Sequence, residues 1–137
     1  MSYIPASLRE FVIERAKSRC EYCRFSQASQ EATFHVDHIV PLSLDGKTYE
    51  DNLALACVSC SLRKAARILV DDSQTREKIA LFNPRKDDWQ KHFEWQGDYV
   101  VGLTKTGRAT VEALQMNRTL VLAIRHEQAA LGRHPPQ

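Results

Sequence analysis

Long apolar runs are missing from this chain: no stretch approaches the length that spans a bilayer, and Met1-Ser2-Tyr3-Ile4-Pro5 lacks the apolar core of a signal peptide. A strong excess of one charge is missing too. Lys and Arg number 19 against 17 Asp and Glu, a formal net charge of +2, which permits contact with nucleic acid without demanding it. No internal repeat and no low-complexity linker divides the sequence. One domain, 1–137, is therefore expected, large enough to bury about two-thirds of its unfolded surface without help from disulfides. Cysteine is scarce and confined, with all four between positions 20 and 60. These features point to a cytoplasmic protein without membrane contact, in a compartment that keeps thiols reduced.

What is present is concentrated between Cys20 and Lys64. The cysteines form two Cys-x-x-Cys pairs, Cys20-Glu21-Tyr22-Cys23 and Cys57-Val58-Ser59-Cys60. Each pair makes a tight turn that aims two sulfurs at one point, and two such turns complete the tetrahedral thiolate shell that suits structural Zn²⁺. Between the pairs runs Phe34-His35-Val36-Asp37-His38-Ile39-Val40-Pro41, followed by Asn52-Leu53. A carboxylate beside a histidine suits a hard cation and a general base. Neighbours on a strand face opposite ways, so Asp37 and His38 can share a task only where the strand ends or bends, and Pro41 is consistent with such an ending. His35 shares the Asp37 face, as a packed histidine or as support behind the site. Arg63, Lys64 and Arg67 suit phosphate contact as well as a solvated helix face.

The order Cys-x-x-Cys, Asp-His-Ile-x-Pro, Gly-containing loop, Asn-Leu, Cys-x-x-Cys, then Lys four residues later resembles the HNH endonuclease family. The resemblance implies an α+β fold: a ββα-metal (His-Me finger) core at about 20–67 wrapped on a four-cysteine zinc knuckle. An N-terminal helix would precede it, and a hairpin-plus-helix extension at about 68–137 would follow. It further implies metal-dependent hydrolysis of DNA phosphodiester bonds, with Asp37 on a catalytic Mg²⁺ or Mn²⁺ and His38 activating the attacking water. Asn52 would hold the loop and the His38 backbone, and Lys64 occupies a family position. The departure is Ser61, where the family carries Asn or His as a further ligand of the catalytic cation. Two functions follow: a working nuclease, or a zinc-stabilised nucleic-acid-binding module with impaired catalysis. Leu81-Phe82-Asn83-Pro84-Arg85, Trp89-x-x-His92-Phe93 and Thr106-Gly107-Arg108-Ala109-Thr110-Val111 are similar to the tail of one bacterial HNH subgroup and are expected to support the core.

Apolar spacing predicts a helix over 4–19 with Leu8, Phe11, Val12, Arg15, Ala16 and Arg19 along one stripe. Strands are expected at 34–43 and 53–56, with Asp45-Gly46 as a turn between them. A helix over about 59–67 comes next. Hairpins are expected at 68–82, turning at 71–74, and at 89–103, turning at Gln96-Gly97-Asp98. Thr106 or a neighbour should cap a helix through Gln115. Asn117 marks a break, and a last helix should run to about Leu131, ended by Gly132, before a disordered Pro135-Pro136 tail. No catalytic role is expected for His92 or His126.

Overall fold

Pro5, with φ −58°, starts α1 (Ala6–Arg15), which buries Val12 while Ile4 and Ala16 pack at its two ends. The structure, a computed structural model, describes residues 3–136. The helix is shorter than 4–19. Lys17 and Ser18 both take φ 56°, reversing the chain so that Cys20 N–H can bond Phe25 O at 2.8 Å and close the first cysteine turn. Phe11 is not on the buried stripe. It is 40% exposed, and its ring is covered by the Arg15 guanidinium at 5.1 Å.

The central unit is ββα. Strands β1 (His35–His38) and β2 (Leu53–Ala56) pair antiparallel, Asp37 opposite Ala54 and His38 opposite Leu53. β2 is apolar throughout and wholly buried, whereas β1 has one face open. β1 stops at His38 rather than continuing to 43. Beyond Ile39, the Val40 backbone bonds the Asn52 side chain instead of a strand, and Pro41, having no N–H, leads into a 3-10 turn at Leu42–Leu44. Helix α2 (Val58–Lys64) begins with Cys57, whose Sγ accepts from Cys60 N–H, and ends where Ala65 takes φ 51°.

The extension carries two hairpins and three helices. Strands β3 (Leu69–Asp71) and β4 (Lys78–Ala80) are joined by a turn wider than 71–74, because the Asp72 carboxylate accepts from Gln74 N–H, Thr75 N–H and Thr75 O–H. The start of the second predicted hairpin is instead a single turn of helix, α3 (Trp89–His92), capped by Asp88. Strands β5 (Phe93–Gln96) and β6 (Tyr99–Gly102) follow, turning at Gly97 with φ 62°. Helix α4 (Lys105–Ala113) is capped by Thr104, which accepts from Gly107 N–H, and α5 (Thr119–Ala130) ends near Gly132 at φ 71°. The tail is tied down. His134 Nε2 meets Gly97 O at 2.9 Å, and its ring stands edge-on to Trp95 at 4.7 Å. Among the described residues no helix is long and apolar enough to cross a membrane.

One core runs through both parts. Val12, Tyr22, Phe34, Leu53 and Leu55 share it with Phe82, Trp89, Phe93, Leu114 and Met116 from the extension. Trp89 Nε1 donates to Tyr22 O at 2.8 Å, inside the first cysteine turn. Glu21, also in that turn, accepts from Leu55 N–H at 2.8 Å and pairs with Arg85. Removing either partner of so buried a pair strands the other and costs about 3–5 kcal/mol.

Candidate active site and metal centre

The four cysteines converge. Their sulfurs all lie within 4.8 Å of one another, and every one is buried. Two turns of the same kind do this: Cys23 N–H donates to Cys20 Sγ at 3.5 Å and Cys60 N–H to Cys57 Sγ at 3.4 Å. Burial pushes the Cys20 thiol well up, while hydrogen bonds from neighbouring thiols hold Cys57 far below the usual range. Four thiols crowded so closely compete for the same protons, and a metal deprotonates its thiol ligands outright. Four sulfurs with no oxygen or nitrogen among them fit a closed structural zinc site.

Asp37 and His38 are the last two residues of β1, and the end of the strand lets both line one cleft of about 400 Å³ with Pro41, Ser43 and Ser61. His38 Nε2 lies 2.9 Å from Thr48 Oγ1. Burial lowers the His38 pKa from its ordinary value against the pull of Asp37, with the Lys64 ammonium adding to the lowering, and so favours the neutral imidazole. Asn52 ties the loop that follows His38. Its Oδ1 accepts from Val40 N–H at 2.9 Å, and its Nδ2 donates to Val40 O at 3.0 Å and to Lys47 O at 2.8 Å. Ile39 N–H donates to Asn52 O at 2.9 Å, so the residue after His38 is held from the same place. Gly46 completes this loop: its N–H bonds Pro41 O at 2.9 Å, and a Cβ there would sit 1.8 Å from Val40 O.

The remaining expected site residues divide. Ser61 borders the cleft and pairs with His35, Oγ to Nδ1, at 2.8 Å. His35 is exposed rather than packed, which removes the core-histidine account of it. Lys64 is only 3% exposed, so an outward contact with a phosphate is not open to it. Its Nζ points inward, 3.4 Å from His38 O, and burial lowers its pKa. Arg63 and Arg67 are exposed. Arg63 Nε donates to Ser59 Oγ at 3.1 Å, and Arg67 folds back on Arg63 O and Lys64 O at the end of α2. His92 and His126 lie elsewhere, bonded to Thr104 and Asp98. Thr48 carries no spacing signal in the sequence, and only the fold brings it to the imidazole.

With this geometry in place, the comparison with known families gives one match, to a model described as HNH endonuclease. It covers residues 20–67. That segment, about a third of the chain, is similar to the HNH endonuclease domain. Comparisons with curated proteins and with solved structures gave no match. The HNH family consists of nucleases, so a nucleic acid is the substrate class that this domain implies. The cleft and the cysteine cluster both fall within the matched residues, whereas β3 to α5 lie beyond it.

Proposed function

We propose that the protein is an endonuclease that hydrolyses DNA phosphodiester bonds, with His38 as general base. The observation that carries this is the meeting of Asp37 and His38 in one cleft at the end of β1, behind a loop closed by Asn52. With Nε2 donating its proton to Thr48 Oγ1, His38 Nδ1 holds the lone pair that takes a proton from the attacking water. Asp37, with Ser61 beside it, offers oxygen donors that fit a hard divalent cation, Mg²⁺ or Mn²⁺. Such a cation, when bound, neutralises charge building on the scissile phosphate and the departing oxygen. Lys64 acts from below, holding the His38 carbonyl and balancing Asp37, while Arg63 and Arg67 are placed to meet the DNA backbone. Zn²⁺ on Cys20, Cys23, Cys57 and Cys60 holds the hairpin between its two turns. Four reduced buried thiols suit the cytoplasm.

Incubating plasmid DNA with purified protein and Mg²⁺ or Mn²⁺ tests the proposal. Wild type should nick it, and His38→Ala should lose about 10²–10⁴-fold in rate, with folding and DNA affinity retained. Equal nicking by both would remove His38 from the chemistry. A second reading, a binding module with impaired catalysis, draws on Ser61, whose hydroxyl is already engaged by His35. DNA binding without cleavage at any metal concentration would select it.

A further inference from the structure

On another side of the cysteine cluster lies a cavity of about 310 Å³ between the first cysteine turn, the loop after it and the C-terminal segment. Arg19, Arg24, Arg125, Arg133 and His134 line it, and among the described residues no Asp or Glu side chain does. It shares no residue with the Asp37–His38 cleft. Among the described residues, the direct ion pairs involve Lys78, Arg85, Lys105 and His126; none includes the four arginines, although Asp88 and Asp98 lie near enough to act on Arg24 and Arg125. Several like charges around one hollow repel each other, and an anion relieves that repulsion.

We infer that this cavity binds a phosphate group, supplied by the backbone of the nucleic acid at a point away from the cut. Arg125 is a fixed wall of positive charge. It is 3% exposed, donates to Asp98 O, Asn117 Oδ1 and Met116 O, and stacks on Trp95 at 5.1 Å. Arg24 is held over Trp89 at 5.2 Å, so its guanidinium is positioned before any ligand arrives. Ser26 Oγ accepts from Ala28 N–H and keeps its own proton free to donate into the same hollow. Guanidinium forks match phosphate oxygens two at a time. Base recognition is not available here. Trp95 has Arg125 over its ring, Trp89 packed at 5.4 Å and His134 at 4.7 Å, which leaves no open face for stacking. The contact is therefore with backbone, independent of sequence. Arg24 and Arg125 also feel the cysteine sulfurs, so part of their charge serves the thiolate cluster. Arg19 and Arg133 are thus the residues on which binding turns.

The site shares with the nuclease proposal only its substrate class, and its test needs no cleavage. Full-length, zinc-loaded protein is titrated with inorganic phosphate by calorimetry, and with a short DNA duplex over a range of salt without added Mg²⁺. Arg133→Ala, at an exposed residue, and Arg19→Ala/Arg133→Ala are compared with wild type, with zinc content as the folding control. We expect the double variant to bind phosphate at least about tenfold more weakly. Its logarithmic salt slope for DNA should fall by about one unit for each phosphate that the variant no longer neutralises. Abolished phosphate binding with an unchanged slope would support an anion site but overturn nucleic acid as its source. Undetectable phosphate binding in wild type, or equal affinity in zinc-loaded wild type and double variant, would overturn the site altogether. His38→Ala should bind phosphate as wild type does, so failure of cleavage and failure of this site are separable.

Discussion

Ser61 is where the chain departs from the HNH pattern, and its hydroxyl is held at 2.8 Å by His35. A hydroxyl is shorter than an amide and gives up less electron density, so a cation bound at Asp37, as proposed, should be held loosely and complete its shell with water. Ser61→Asn is expected to lower the Mg²⁺ or Mn²⁺ concentration needed for half-maximal cleavage several-fold, with zinc content unchanged. Metal titration of cleavage by both proteins measures this. Saturation of wild type at low metal, with a slower variant, would show that the hydroxyl suits the site as it is. At this scale much of the site is legible without coordinates. Asp37, His38 and Asn52 stand at spacings that a pattern can carry, and the four cysteines identify their own cluster. The placements of Lys64 and Thr48 are not legible, for a physical reason. The direction of a lysine side chain depends on whether its helix face meets the hairpin, and Thr48 reaches His38 only through the path of a loop.

Among the elements, α4 shows how a segment without chemistry supports one that has it. Gly107 brings the helix backbone so near β6 and α3 that a Cβ there would lie 2.0 Å from His92 O. Thr110, fully buried on the same helix, donates its hydroxyl proton to Thr106 O at 2.6 Å and accepts from Phe82 N–H at 3.0 Å. Thr110→Val keeps the shape but leaves the Phe82 amide unpaired, which should destabilise the protein by about 1–3 kcal/mol. Urea unfolding followed by tryptophan fluorescence would show the effect, and an unchanged midpoint would mean that water reaches the amide. Element types follow from sequence because apolar spacing and capping residues are local: β2 and α5 lie where periodicity puts them. Ends are less local. α1 stops early because the first cysteine turn must be entered from a reversed chain, and β1 stops early because Asn52 captures Val40.

For the whole molecule, the question is whether the HNH segment and its extension unfold together. They share a core, the Trp89–Tyr22 hydrogen bond and the Glu21–Arg85 pair, all centred on the first cysteine turn. Stripping zinc should therefore lower a single thermal transition that takes helix and tryptophan signals with it, since ligation energy is folding energy in such sites. Calorimetry with and without chelator decides this. Two separated transitions, with only one moved by chelator, would make the extension an independent unit. Metal analysis is expected to find about one Zn²⁺ per chain.

The placing of the strands between the two cysteine turns has a topological consequence. Residues 24–56, which include β1, the Asn52 loop and β2, lie inside a ring that a metal held by the four cysteines would close from Cys23 to Cys57. A bound ion thus acts on the denatured chain as a cross-link, removing conformations that the open chain would explore. For a ring of this size, chain-entropy arguments put the effect at about 4 kcal/mol. That gain needs no contact in the folded state, and it falls on the segment that carries Asp37 and His38.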